Sequence, residues 1–124
     1  GYKALVGGAS RHPDIAGSGS VDWVLAANAE YRRNDGVTVI GTTNASAVFA
    51  YPLTNSLGAS AGKYYTGISA NWSVSNATNC QDWSSMADDR IYGNALAITS
   101  DAISEGMHDC GTSGPSAYVV CVEQ

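Results

Sequence analysis

The chain has 124 residues, 44% of them hydrophobic and only 14% charged, which predicts a single folded domain and argues against a disordered chain. Its net charge of -5 and its pI near 4.6 argue against a nucleic-acid partner, because binding a phosphate backbone requires clustered Lys and Arg. No stretch approaches the roughly 18 apolar residues of a membrane span, so we expect no transmembrane segment in this chain.

The first part of the chain is predicted to form short strands joined by turns. Residues Tyr2 to Val6 alternate with the strand period, and Arg11 to Ser20 are rich in the residues that form loops. The turn signal Asn34 to Gly36 lies between Tyr31 and the apolar run Val37 to Ile40. This arrangement predicts a β-hairpin.

The second part combines further short strands with long loops. The runs Val48 to Tyr51 and Tyr64 to Ile68 are predicted strands that reach the core. Gln81 to Met86 lack strand alternation and predict one or two helical turns, whereas Asn94 to Ile103 predict a loop. The β-branched run Ala117 to Val122 is predicted to be a buried central strand.

The three cysteines, Cys80, Cys110 and Cys121, are an odd number. One of them is therefore free, is paired between chains, or has lost its partner. Their spacing includes no Cys-x-x-Cys motif, and His12 and His108 do not stand at zinc-finger offsets. We therefore predict no structural zinc site.

Other metal and catalytic chemistry is poorly represented. Asp82, Asp88 and Asp89 offer oxygen ligands, but the twelve-residue calcium loop is absent, and an acidic, solvated loop is the expected structure. The only neighbouring His and acid pair is His108 and Asp109, and adjacent residues rarely form a catalytic dyad. The sequence thus predicts no metal, no cofactor and no catalytic residues.

The seven tyrosines and three tryptophans exceed what so small a core requires. We expect Trp23, Trp72 and Trp83 in the core, and Tyr31, Tyr64 and Tyr92 at the surface. Tyr and Arg are enriched in protein interfaces, and Arg32 and Arg33 are the one basic cluster of the sequence. The candidate protein-binding patch is therefore Tyr31, Arg32 and Arg33, and the alternative is an ordinary solvated hairpin.

Several motifs together resemble a known family. The spacing Cys80-x-x-Trp83, the later Cys110, and the ending Ala117 to Glu123 are similar to the endostatin branch of the C-type-lectin-like superfamily. The match is closer to the leptospiral endostatin-like proteins, which it resembles over nearly the whole chain. The segments that carry this resemblance include Asp22 to Leu25, Glu30 to Arg33, Ile40 to Asn44 and Pro52 to Ser56.

The resemblance implies an α+β, C-type-lectin-like fold with short, mainly antiparallel strands, few helical turns and long loops. It implies one domain over residues 1–124 that lacks the N-terminal strand of the family. The family's nested disulfides imply that Cys80 pairs with Cys110, and that Cys121 is unpaired because its partner would precede Gly1. Since Cys121 lies in an apolar run, we expect its thiol to be buried and inert.

The resemblance also implies a function. Family members are secreted proteins or outer-membrane lipoproteins, and some bind complement factor H or extracellular-matrix proteins such as laminin and fibronectin. We therefore expect an adhesin-like, non-catalytic binding domain outside a bacterial cell. A carbohydrate-binding lectin is the second hypothesis, although the usual calcium-ligand tripeptides of lectins are missing, and a secreted hydrolase is the third.

Overall fold

The computed structural model describes residues 1–111 and 118–124, and it consists mostly of short antiparallel strands with very little helix. The strands of these residues are β1 (Tyr2–Ala4), β2 (Glu30–Arg32), β3 (Val39–Thr42), β4 (Lys63–Tyr65), β5 (Asp89–Asn94), β6 (Gly106–Asp109) and β7 (Cys121–Glu123). A single helical turn, α1 (Cys80–Trp83), and two 3-10 turns, Asn76–Thr78 and Ser100–Ala102, complete the assigned elements. The strands form three small sheets, β1 with β7, β2 with β3, and β4–β5–β6.

The predicted hairpin is confirmed as β2 and β3. The amide of Arg33 donates to the carbonyl of Thr38 at 2.9 Å, which closes the turn. Gly36 has a φ of 71°, a left-handed conformation that glycine adopts without steric cost. The local turn chemistry is therefore sufficient to explain this element.

The other predicted strands form in part. Tyr64 to Ile68 contribute only the end of β4, Lys63–Tyr65. Val48 to Tyr51 make a single bridge, Thr43 with Phe49, although Val48 and Phe49 are buried as expected. Proline at position 52 removes a backbone donor, which stops this run from continuing as a strand.

Aromatic side chains organise the core. Trp72 is buried, stacks on Tyr51 at 6.1 Å between ring centroids, and meets Trp23 edge to face at 6.2 Å. The Trp72 indole N–H donates to the carbonyl of Phe49 at 3.1 Å, so its polar atom is satisfied inside the core. The apolar residues buried with it include Leu5, Val24, Leu25, Ile40, Leu53, Ile68, Ile103 and Val122.

The prediction of a buried central strand at Ala117 to Val122 is wrong for the described part of that run, and Ala117 itself lies outside the described residues. Strand β7 begins only at Cys121 and pairs, among the described residues, with β1 alone. In a strand with one covered face, alternate side chains face solvent. Val122 is consequently buried, whereas the Cys121 thiol, which we expected to be buried, is exposed.

Two aromatic predictions are also wrong. Tyr64 is buried rather than superficial, and its hydroxyl donates to the carbonyl of Ala102 at 2.6 Å. Burial raises the pKa of the Tyr64 phenol. Trp83, expected in the core, is 37% exposed because the helical turn that carries it lies at the surface.

The predicted helical turn in Gln81 to Met86 is present as α1, but its handedness could not be read from the sequence. All four of its residues have positive φ, from 52° at Gln81 to 63° at Trp83. It is therefore a left-handed turn. Within the described ranges, no helix has the length and apolar character needed to cross a membrane.

Candidate functional site

The hairpin turn that carries the candidate patch is held by Asp35. Its carboxylate accepts hydrogen bonds from the backbone amides of Val37 and Thr38, both at 2.8 Å, and from the Thr38 hydroxyl at 2.5 Å. These hydrogen bonds stabilise the charged carboxylate and lower the pKa of Asp35 to about 2. The bond from the Thr38 hydroxyl has the largest effect, and the two amides add to it. The turn is thus ordered by its own side chains.

The three patch residues have different environments. Tyr31 is half-buried, packs edge to face on Phe49 at 5.8 Å, and accepts a hydrogen bond from the Ala26 amide at 2.7 Å. Arg33 is also half-buried and donates to the carbonyl and hydroxyl of Ser56 at 2.9 and 2.8 Å. These two side chains therefore have structural roles.

Arg32 is the exposed member of the patch. Its guanidinium donates to the Glu30 carboxylate at 2.8 Å and to the Gly36 carbonyl at 3.2 Å. Both contacts are local to the hairpin and lie at the surface, where an ion pair contributes little to stability. Arg32 can therefore give up these contacts for contacts with a binding partner at a small cost in free energy.

The patch borders an open groove of about 490 Å³ between the hairpin and the paired chain ends. Apolar side chains of Leu5, Leu25 and Phe49 contribute to its lining, together with polar or amphipathic side chains of Tyr2, Arg32 and Glu123. Tyr2 is 71% exposed. The groove, which we call the hairpin groove, therefore combines a buried apolar surface with an exposed rim.

Sequence reasoning missed Tyr2 and Glu123 as members of this site. They lie at opposite ends of the chain and become cross-strand partners when β1 pairs with β7. Strand alternation places Tyr2 on one face of β1, but it does not indicate which other element that face will meet. No local signal could have joined these residues to Tyr31.

A family model described as "Protein of unknown function (DUF1554)" matches residues 1–100. The chain belongs to the DUF1554 family. The matched segment contains the hairpin and its patch, whereas Cys110 and strand β7 lie beyond it. Neither the curated proteins nor the solved structures contain a match to this chain.

The cysteines of this DUF1554 chain are arranged as the resemblance implied. Cys80 and Cys110 form a disulfide whose Cα atoms are 5.8 Å apart, and Cys121 is free. The disulfide joins α1 to the residue that follows β6. It therefore anchors the left-handed turn to the three-stranded sheet.

Two of the aspartates considered as calcium ligands make separate hydrogen bonds. Asp82 accepts a hydrogen bond from the Ser10 amide at 3.4 Å, and Asp88 accepts one from the Gln81 side chain at 2.9 Å. In the part of the chain that the structure describes, no group of three His, Cys, Asp or Glu residues could hold a metal ion.

His108 and Asp109 are neighbours on β6, and successive side chains of a strand point to opposite faces. The His108 ring stacks on Tyr92 at 4.5 Å between centroids, while the Asp109 carboxylate accepts a hydrogen bond from the Gly111 amide at 2.6 Å. The strand therefore directs the two side chains to different neighbours.

Proposed function

We propose that this DUF1554 chain is an adhesin-like binding domain of the leptospiral endostatin-like kind, with a C-type-lectin-like fold. It acts outside the cell, as a secreted or outer-membrane lipoprotein domain, and recognises host proteins such as laminin, fibronectin or complement factor H. The observation that carries the proposal is the hairpin groove, which brings Arg32 and Tyr2 to one apolar depression. The Cys80–Cys110 disulfide supports the proposal in two ways. The resemblance implied this pairing, and disulfides persist mainly in oxidising compartments such as the outside of the cell.

The composition of the hairpin groove suits a protein partner. Interfaces combine an apolar centre with a polar rim, and Tyr and Arg are their commonest energetic anchors. Leu5, Leu25 and Phe49 supply the apolar part, while Tyr2 and Arg32 supply exposed anchors of the enriched types. A protein side chain inserted between these anchors would be removed from water.

Strand edges beside the groove add a second means of recognition. Among the described residues, β2 pairs only with β3 and β7 only with β1, and residues of both β2 and β7 line the hairpin groove. A strand paired on one side offers backbone donors and acceptors on the other, and partners exploit such edges by adding a strand. The groove can therefore engage a partner's backbone as well as its side chains.

The test measures binding of the purified chain to immobilised laminin, fibronectin and factor H by surface plasmon resonance. We expect binding to at least one of them, and the double variant Tyr2→Ser/Arg32→Ala should weaken it about thirtyfold, since loss of a hot spot costs about 2 kcal/mol or more. Tyr31 and Arg33 are left intact because both are tied into the fold.

The matched control is Tyr118→Ser/Lys63→Ala, which removes an equally exposed tyrosine and one positive charge outside the groove. It should bind like the unaltered chain. Equal weakening by both double variants would exclude the hairpin groove as the binding face. No binding to any of the three proteins would overturn the proposed ligands, and calcium-dependent binding on a glycan array would favour a lectin instead.

A further inference from the structure

The left-handed turn α1 is an energetically costly element that the fold holds in place. Each non-glycine residue in this conformation costs roughly 1–2 kcal/mol, and α1 has four in succession, Cys80–Trp83. Strain of this kind persists only where surrounding contacts enforce it, and it concentrates at functional sites. The turn therefore fixes the positions from which the side chains of α1 extend.

Three anchors enforce the turn. The disulfide fixes Cys80, and the wholly buried Asn79 accepts a hydrogen bond from the Asp82 amide at 2.8 Å. The indole N–H of Trp83 donates to the Gly7 carbonyl at 3.0 Å. With these contacts made, Asp82 and Trp83 are held in fixed positions, and Trp83 remains 37% exposed.

Both side chains line a second cavity, of about 410 Å³, which we call the Trp83 cavity. Its lining includes Gly8, Ser10, Arg11 and Asp22 and shares no residue with the hairpin groove. A Cβ atom at position 8 would lie 1.9 Å from a carboxylate oxygen of Asp82, so glycine is needed there for the close approach. The carboxylate of Asp82 is thus packed on backbone at the edge of the cavity.

The charges of the Trp83 cavity are unevenly compensated. Asp22 forms ion pairs with Lys3 and Arg11, and these hydrogen bonds lower the pKa of Asp22. Arg11 also donates to the Ala4 carbonyl at 3.1 Å, so its guanidinium already has hydrogen-bond partners in Asp22 and Ala4. Among the described residues, no basic side chain lies within ion-pair distance of Asp82.

We propose that the Trp83 cavity binds a cationic side chain, a lysine or arginine of a partner protein, against the Trp83 ring and the Asp82 carboxylate. Tryptophan is the best aromatic partner for a cation, and a nearby carboxylate adds a charged hydrogen bond. The acidic net charge of the chain favours approach of such a group. The proposal does not depend on the hairpin groove.

The experiment titrates the ¹⁵N-labelled chain with N-acetyl-lysine N′-methylamide and with the arginine analogue, and follows amide and indole NMR signals. We expect saturable shifts, in the millimolar range, at the Trp83 indole N–H and at the Gly8 amide, and weaker binding at raised salt. The norleucine analogue, which has the same apolar stem without the charge, should produce no saturable shift.

The variants isolate the two contacts. Asp82→Asn should weaken binding about three- to fivefold, because it removes the charge of a partly exposed pair. The affinity should fall from the unaltered chain to Trp83→Phe and fall again in Trp83→Leu, as measured by the chemical shift of the Gly8 amide. Asp101→Asn removes an equal charge from an exposed position outside the cavity and should leave binding unchanged.

Two results would overturn the proposal: equal chemical-shift changes with the norleucine and lysine probes, or an affinity for the lysine probe that Asp82→Asn leaves unchanged. So would the absence of any saturable shift in the unaltered chain. Phenylalanine and leucine both lack the indole N–H that donates to the Gly7 carbonyl, so the amide spectra of Trp83→Phe and Trp83→Leu must first show a folded protein. If they do not, Asp82→Asn and the comparison of the lysine and norleucine probes decide the outcome.

Discussion

Asn79 connects two segments of the chain that are 72 residues apart: its side-chain amide donates to the carbonyl of Gly7 at 3.3 Å. The same side chain accepts the Asp82 amide, and none of its surface is exposed. One buried residue therefore joins the end of the first strand region to the left-handed turn.

Asn79→Ala should destabilise the protein by about 1–3 kcal/mol, because it removes two hydrogen bonds and leaves the Asp82 amide without its side-chain acceptor. Urea unfolding followed by circular dichroism measures the change. Asn76→Ala, three residues earlier and exposed, is the matched control and should change stability by less than about 0.5 kcal/mol. Equal effects of the two substitutions would contradict a specific role for Asn79.

The adjacent arginines of the hairpin should differ in their effects on stability. Arg33→Ala removes two hydrogen bonds to the buried Ser56, and we expect a loss of about 1–3 kcal/mol. Arg32→Ala removes exposed contacts and should cost at most about 1 kcal/mol. Chemical unfolding of both variants measures these losses of stability. A larger loss of stability in Arg32→Ala than in Arg33→Ala would contradict the structural role of Arg33.

Asp35 should titrate with a midpoint near its depressed pKa of about 2. Because this value lies below the ordinary 3.8, the carboxylate stabilises the folded state above about pH 4 and loses this contribution as the pH falls towards 2. Thr38→Val removes the hydroxyl donor and should raise the pKa of Asp35, which NMR of the carboxyl carbon measures. The pKa of Asp22, which other side chains lower, should stay unchanged in that variant.

Native, non-reduced protein should contain one thiol that reacts rapidly with an aromatic disulfide reagent. The exposed Cys121 supplies it, since Cys80 and Cys110 are joined. Cys121→Ser should abolish the reaction, and unfolding without reductant should expose no further thiol. Three thiols in the unfolded, non-reduced chain would contradict the disulfide, and slow labelling of the native chain would contradict the exposure of Cys121.

Locally encoded features were predictable. The Asn34 to Gly36 turn and its flanking strands follow from short-range backbone preferences, which act before any tertiary contact forms. The predominance of short strands follows from composition and period. The pairing of Cys80 with Cys110 needed more than local pattern, because three cysteines allow several pairings and only the resemblance selected one.

Which face a strand buries was decided by the tertiary structure. Sequence patterns were enough to place Cys121 in one strand-forming run and Tyr64 in another, but alternation does not indicate which face meets the core or whether a strand lies at an edge. Pairing of β7 with β1 alone exposed Cys121, packing against Ala102 buried Tyr64, and closure of the chain ends brought Tyr2 beside the hairpin. These outcomes depend on contacts between residues distant in sequence, whose energies local patterns do not contain.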